Sequence, residues 1–281
     1  MIKVDGKTKQ LGIIGNPVGH SFSPAMHNYI SEALGKNYIY CAYNVEKDEL
    51  KNAVEGLRGL GFAGVNVTAP YKQDVMPYLD AISEKSKAFD SVNTIVNDGG
   101  KLIGYTTDAD GFYMSLKREG FNVTGKDVLI LGAGGVVRPV ASLLAMEGAS
   151  SVTIVNRTKE KADKIACEIE KSIGYTVFKE IRHTHYDLVI NTTSLGMHPN
   201  EDKMPPFDFG LIDKESFVAD MIYNPAETLF LKEAKKMGAK TLNGLGMLIY
   251  QGILAYELFT NEKLGMDFYD KIVKDVFGID G

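Results

Sequence analysis

The residues best suited to chemistry lie in a few short stretches of the front half of the chain. "GVNVTAPYK" puts Asn66 and Thr68 at the end of an apolar, strand-like run, with Lys72 just past Pro70 in a strand-to-helix loop. Loops of that kind gather the sites of α/β proteins. "SVNTIV" adds Asn93 and "GYTTDADG" adds Asp108. Brought together across a cleft, Lys72 and Asp108 would handle a proton: the ammonium exchanges it with a reacting oxygen, and the carboxylate orients the ammonium and balances its charge. Taken singly, each is an ordinary surface charge, and Asp108 also suits the N-cap of the helix that follows.

A fourth stretch, "GHSFSPAMHN", stacks Ser21 and Ser23 at the mouth of a helix. Ser23 suits the N-cap, and Pro24 the first helical position, where a missing N–H goes unnoticed. A cap needs one hydroxyl. Ser21 is therefore surplus, and a helix N-terminus with an extra hydroxyl is also a place to hold an anion.

The strand, glycine turn and helix of "VLILGAGGVVRPVASLLA" form the context in which a glycine motif binds a dinucleotide. Gly132 permits the tight turn, and Gly134 and Gly135 let the backbone approach a pyrophosphate at the helix N-terminus. Val137 stands where the pattern has a third small residue, which predicts a wider helix–sheet contact. The next strand ends "VNRTKEK", at the point where an NAD site carries a carboxylate for the ribose 2′-hydroxyl. Asn156, Arg157 and Thr158 stand there instead, with Lys161 one turn on, and a guanidinium among donors suits a 2′-phosphate. NADP is expected over NAD. Such a cofactor needs a substrate carbonyl or alcohol and a group to move the proton, which leads back to Lys72 and Asp108.

The elements that must position these residues alternate. Strand-like runs at 11–15, 39–45 and 64–68 precede helices expected from Pro24, Lys47 and Tyr71, and a turn at 97–100 joins strands 94–97 and 102–105 as a hairpin. After a helix near 109–119, four apolar strands separated by helices describe a second parallel sheet covered on both faces. Two helices within 245–277 end the chain. The expected fold is α/β in two domains: residues 1–108 form a mostly parallel α/β sheet for substrate and catalysis, and 109–245 a Rossmann-type NADP-binding domain. Residues 246–281 add the C-terminal helices.

With 281 residues, 44% hydrophobic content and a net charge of −5 without long like-charge runs, the chain offers no basic footprint for nucleic acid or anionic membrane. A small-molecule partner is expected. The polar start and the interruption of 245–259 by Gln251 and Glu257 argue against a secretion signal and a membrane span. Cys41 and Cys167 fit no disulfide framework and are expected as buried, reduced thiols of a cytoplasmic protein. His183 and His185 lack a third ligand at a familiar spacing, so they are expected as solvated loop residues and no metal is expected.

The segments "GNPVGHSFSPAMHN", "GVNVTAPYK", "SVNT", "GYTTDADG", "LGAGG", "NRT", "NTTSLGM", "DMIYNP" and "NGLGMLIYQG" run in an order that resembles the shikimate dehydrogenase family over nearly the whole chain. The resemblance implies NADPH-dependent reduction of 3-dehydroshikimate to shikimate in aromatic amino-acid biosynthesis, the chorismate pathway. It implies Ser21 and Ser23 as binders of the substrate carboxylate, with Asn66, Thr68, Asn93, Asp108, Gln251 and Tyr223 as further substrate positions. Lys72 and Asp108 match the catalytic pair, and the helix carrying Gln251 should return to the first domain. For the cofactor, Gly132, Ala133, Gly134, Gly135, Asn156, Arg157, Thr158, Lys161, Thr192, Met221 and Gly244 occupy matching positions. Two departures stand out: "GGVVRPV" replaces an alanine-rich helix start, and Lys161 stands where arginine is frequent. The rival readings are a quinate/shikimate dehydrogenase using NAD and a non-catalytic nucleotide-sensing protein; a homodimer is allowed. Tyr113 and Lys117 have the spacing of the short-chain dehydrogenase pair, but they precede the glycine loop instead of following it, and are read as a coincidence on a helix surface.

Overall fold

Short apolar runs divided by turn residues become strands, and the amphipathic stretches between them become helices. The computed structural model describes residues 4–265 and 267–279. In chain order the first elements are β1 (Lys9–Gly15), α1 (Ser23–Ala33), β2 (Tyr38–Asn44), α2 (Leu50–Gly59), β3 (Gly64–Val67), β4 (Ala81–Ile82), α3 (Glu84–Phe89), β5 (Thr94–Asp98) and β6 (Lys101–Tyr105). There follow α4 (Asp108–Arg118), β7 (Asp127–Leu131), α5 (Val137–Met146), β8 (Ser151–Val155), α6 (Lys159–Ile173), β9 (Leu188–Asn191), β10 (Phe217–Asp220), α7 (Leu229–Lys236) and β11 (Lys240–Leu242). The helices α8 (Leu245–Thr260) and α9 (Asp267–Asp275) come last. The chain divides into two compact units, one running to Thr107 and resuming at Ile249, the other spanning Asp108–Leu248.

The first unit is built on a sheet of order β2-β1-β3-β5-β6-β4. β1 pairs parallel with β2 and β3, whereas β5 runs antiparallel to both β3 and β6. The hairpin turns through Gly99 and Gly100 at φ 59° and 95°, and the Gly100 N–H donates to Asn97 Oδ1 at 2.7 Å. Left-handed backbone at both central positions is what a tight hairpin turn requires, and glycine supplies it without strain. From Ile249 onward α8, and then α9, belong to this unit. Tyr29 on α1 donates to Asp275 Oδ2 at 2.6 Å, and Ser31 meets Tyr256 Oη at 3.2 Å. Gly64 is glycine for the same reason, because a Cβ there would collide with the Phe259 ring.

Three local expectations give way here. The helix expected from Tyr71 is one turn, Val75 N–H to Tyr71 O at 3.0 Å, followed by a 3₁₀ turn at Met76–Tyr78. Pro77 stops it, since its ring has no N–H to give and crowds the carbonyl four residues back. The helix expected from Lys47 starts as a 3₁₀ turn, Lys47–Glu49, before α2. β4 and α3 are too short to show periodicity. α3 is marked instead by its cap, Ser83 Oγ accepting from Ser86 N–H at 3.2 Å.

The second unit carries a parallel sheet of order β11-β10-β9-β7-β8. Every residue of β9 and β10 is buried. Successive strand residues point to opposite faces, so both faces of this sheet are covered, as in a Rossmann-type fold. β11 and α7 extend it beyond the four strands read from the sequence. Cys41 and Cys167 are free and exposed, contrary to expectation: Cys41 lies in the exposed part of edge strand β2, and Cys167 on an outward position of α6. Residue type alone favours burial, but the side-chain direction of each element decides it. No described helix is long and apolar enough to cross a membrane.

Candidate active site

The antiparallel turn of the first sheet brings chain ends together. β1 and β3 run parallel and end at one edge; β5, antiparallel to β3, starts at that edge with Thr94 opposite Asn66. β6 returns to it, Tyr105 opposite Thr94. The edge therefore collects Ser21 and Ser23 beyond β1, Asn66, Thr68 and Lys72 along and beyond β3, Asn93 before β5, and Thr107 after β6.

Each is fixed by its neighbours. Ser23 is the first residue of α1 and Pro24 the second, with Phe22 at the N-cap. This corrects the expected cap: Ser21 does the local work, its Oγ accepting from Ser23 N–H at 3.2 Å, and Ser23 turns inward to 5% exposure. The hydroxyl that looked surplus holds the helix mouth, and the one that looked like a cap is buried. Asn66 Nδ2 donates to Asn93 O at 3.1 Å and to Thr94 Oγ1 at 3.2 Å. Thr68 N–H bonds Ile14 O at 2.9 Å, and Gly15 leaves room for the Thr68 methyl. Lys72 is half-buried, its carbonyl accepts from Val92 N–H at 2.8 Å, and the preceding Tyr71 anchors the loop by donating to Val45 O at 2.6 Å. Thr107 Oγ1 donates to Gln251 O on α8 at 3.0 Å. Asp108 follows in the chain as the first residue of α4, inside the helix instead of capping it, and is 7% exposed.

In the second unit the turn after β7 has Gly132 at φ 119°, and a Cβ there would strike Thr192 Oγ1. Thr192 in turn donates to Leu131 O at 2.8 Å. Gly134 and Gly135 are exposed, and among the described residues no hydrogen bond takes up either N–H. Val137 faces the core, fully buried, and leaves the bend open. At the end of β8 Asn156 Nδ2 bonds Thr158 O at 2.9 Å, whereas Arg157 and Lys161 are exposed and paired with no carboxylate among the described residues. Open N–H donors at one strand end and two cations at the next suit an anionic dinucleotide with an extra phosphate.

A buried carboxylate organises the ends of β9 and β10. Asp220 Oδ1 accepts from Asn191 Nδ2 at 3.1 Å and Ile222 N–H at 3.0 Å, and Oδ2 from Thr228 Oγ1 at 2.7 Å. Burial raises its pKa, and the three donors oppose that rise. Met221 follows it, and Gly244 packs so closely on the Met221 carbonyl that a Cβ has no room. Tyr223 is half-buried, and burial pushes its phenol up. Tyr113 and Lys117 do touch, the ammonium lying 4.1 Å from the ring centroid, but Tyr113 is 5% exposed and its pKa is raised by burial.

Residues 13–95 match the family model of the shikimate dehydrogenase substrate binding domain, 115–199 that of shikimate / quinate 5-dehydrogenase, and 244–264 that of the shikimate 5'-dehydrogenase C-terminal domain. The chain belongs to the shikimate dehydrogenase family. It is 46% identical over 268 residues to the shikimate dehydrogenase (NADP(+)) of Desulforamulus reducens, covering 92% of each chain. It is 44% identical over 283 residues, with 99% of each chain covered, to that of Carboxydothermus hydrogenoformans. Among solved structures, a shikimate dehydrogenase in complex with NADP+ superimposes with a TM-score of 0.91, at 41% identity over 97% of each chain.

The residues that the sequence did not single out are Tyr40, outside the quoted segments, and Thr94, Thr107 and Asp220, within them but beside the groups chosen for chemistry. Each is buried and hydrogen-bonded. A lone tyrosine or threonine in a strand pattern carries no signal for such a role; only the pairing register reveals it.

Proposed function

We propose that the chain reduces 3-dehydroshikimate to shikimate with NADPH, a step of aromatic amino-acid biosynthesis. The observation that carries this is the first unit's sheet edge, where hydroxyls, amides and the Lys72 ammonium are gathered in a chain so close to NADP-dependent members of the family. A polyhydroxylated carboxylic acid is the complement of that set. In this reading Ser21 and Ser23 hold the carboxylate, while Asn66, Thr68, Asn93, Gln251 and Tyr223 hold the ring hydroxyls or the same carboxylate.

The cofactor, when bound, supplies the hydride to the carbonyl carbon. Lys72 gives its proton to the carbonyl oxygen as that oxygen becomes a hydroxyl, and Asp108 orients the ammonium and balances its charge. Gly132, Ala133, Gly134 and Gly135 admit the pyrophosphate; Asn156, Arg157, Thr158 and Lys161 take the adenosine end and its 2′-phosphate. Thr192, Met221 and Gly244 line the rest. The reading includes a cytoplasmic location, and a homodimer is the assembly to test by light scattering.

Initial rates on shikimate and quinate with NADP and NAD test it. Preference for shikimate and NADP is expected; a strong preference for NAD removes the cofactor assignment. Lys72→Ala should lower turnover by about 10²- to 10⁴-fold with modest change in substrate binding. Unchanged turnover removes the lysine from the chemistry.

A further inference from the structure

We propose that Tyr40 is a positioning residue for the substrate edge, acting through Asn66 and Ser23. Tyr40 Oη donates to Asn66 Oδ1 at 2.8 Å, and the Ser23 side chain lies beside the same phenol. The direction of each bond follows from what the atoms allow. Asn93 O accepts only, so the Asn66 atom 3.1 Å from it must be the amide nitrogen, and the atom facing Tyr40 must be the oxygen. That oxygen cannot donate. Tyr40 therefore gives its proton to Asn66, which leaves its oxygen only an acceptor towards Ser23.

The amide is thereby locked. Both Nδ2 hydrogens are engaged, by Asn93 O and Thr94 Oγ1, and Tyr40 occupies one acceptor site on Oδ1. Turning the amide over would set two carbonyl oxygens against each other at Asn93 and leave the phenol facing an N–H. Ser23 is held more loosely. Its one proton can turn from Tyr40 to an arriving carboxylate without disturbing the Tyr40–Asn66 bond.

Tyr40 itself is held at its backbone and at its ring. Asn28 of α1 brackets its backbone on the open side of edge strand β2, Nδ2 to Tyr40 O at 3.0 Å and Tyr40 N–H to Oδ1 at 2.8 Å, standing in for a missing strand. The His27 ring lies over the Tyr40 ring, centroids 4.2 Å apart and planes within 8°. Neither His27 nitrogen has a partner among the described residues. Burial drops the His27 pKa to about 3, so the stack is between neutral rings, and it also keeps the Tyr40 phenol well above its ordinary value and protonated. Gly252 on α8 clears space for Met26 beside this stack.

The proposal rests on the reading of Asn66 and Ser23 as substrate contacts, and the test separates the two. Tyr40→Phe keeps the ring and the stack and removes only the hydroxyl. Its KM for shikimate should rise about tenfold, with kcat within about threefold and KM for NADP unchanged, since the lost donor frees one amide and nothing in the cofactor unit. In an Asn66→Ala background the same change should add little further to KM. An unchanged KM for shikimate in folded Tyr40→Phe overturns the proposal, as does full additivity with Asn66→Ala. Nuclear magnetic resonance of the native protein gives a readout independent of any variant's folding: the Asn66 side-chain amide protons should be protected from exchange, and rapid exchange overturns the lock. A native protein inactive on shikimate defeats the functional reading, and the exchange measurement then decides the Tyr40–Asn66 lock alone.

Discussion

Asn93 and Thr107 hold each other twice: Asn93 Nδ2 donates to Thr107 Oγ1 at 2.9 Å, and Thr107 N–H donates to Asn93 Oδ1 at 2.9 Å. Both are buried, and the next residue in the chain is Asp108. The residue at which the first unit gives way to the second is thus held by a side chain that the proposed function places against substrate. Thr107→Val keeps the shape and deletes the hydroxyl, removing its bonds with Asn93 Nδ2 and Gln251 O. Stability should fall by about 1–3 kcal/mol in urea unfolding, and turnover on shikimate should fall with it, KM for NADP staying constant. Wild-type stability in that variant would show the contact to be idle.

Arg157 and Lys161 bear on cofactor choice. Arg157→Ala should raise KM for NADP by about 10- to 100-fold and leave KM for NAD nearly as it was, because only the former carries a 2′-phosphate. Lys161→Ala should act in the same direction and less, as a point charge does. Added salt should narrow the gap between native and variant. Equal losses with both cofactors would move the guanidinium off the phosphate.

His27 makes the first unit sensitive to acid. The unfolded chain binds a proton at this ring below its ordinary pKa of 6.5, whereas the folded chain does so only near pH 3. The unfolded state therefore holds the extra proton between those values. The contribution is whole above pH 6.5 and is lost as pH falls, by about 2 kcal/mol between pH 7 and pH 5. Urea midpoints of native protein and His27→Phe at both pH values should differ in slope by that amount. Parallel pH dependences would show that the histidine is not buried neutral.

Asp220 carries the opposite sign. Its pKa is raised by burial, so its folded form keeps a proton to higher pH than its unfolded form, and its contribution declines as pH rises above the ordinary carboxyl value of 3.8. Asp220→Asn can keep the bonds from Asn191 and Ile222 and donate to Thr228, so it should stay within about 1 kcal/mol of native at neutral pH. Asp220→Ala strands three donors and should lose about 2–3 kcal/mol. A thermal melt of the pair settles the order, and equal losses would deny the carboxylate its organising part.

The legible portion of the fold was the portion with period. β1, β7, β8 and the hairpin at Gly99 and Gly100 declare themselves by apolar runs and turn chemistry, and the glycine bend at Gly132 by its strand–turn–helix context. β4 at Ala81–Ile82 and β11 at Lys240–Leu242 are too short for a pattern, and Pro77 overruled an apparently helical run. Of the candidate site, the groups with distinctive chemistry, Lys72, Arg157 and the serine pair, were visible. The division of labour within that pair was not. Ser21 and Ser23 are interchangeable as caps by residue type, and only the turn at Phe22 shows which hydroxyl supports the helix and which faces Tyr40. Tyr40 was hidden for the same reason: its value lies in register, Leu11 opposite it on β1 and Asn28 beside it on α1.

The two outward thiols have a practical use that buried ones could not have. Cys41 sits on the first unit and Cys167 on the second, and the chain has no other cysteine. A maleimide donor and acceptor dye, attached without engineering, would turn the native polypeptide into its own ruler, reporting in real time how the span between the two units responds when shikimate or NADP is added.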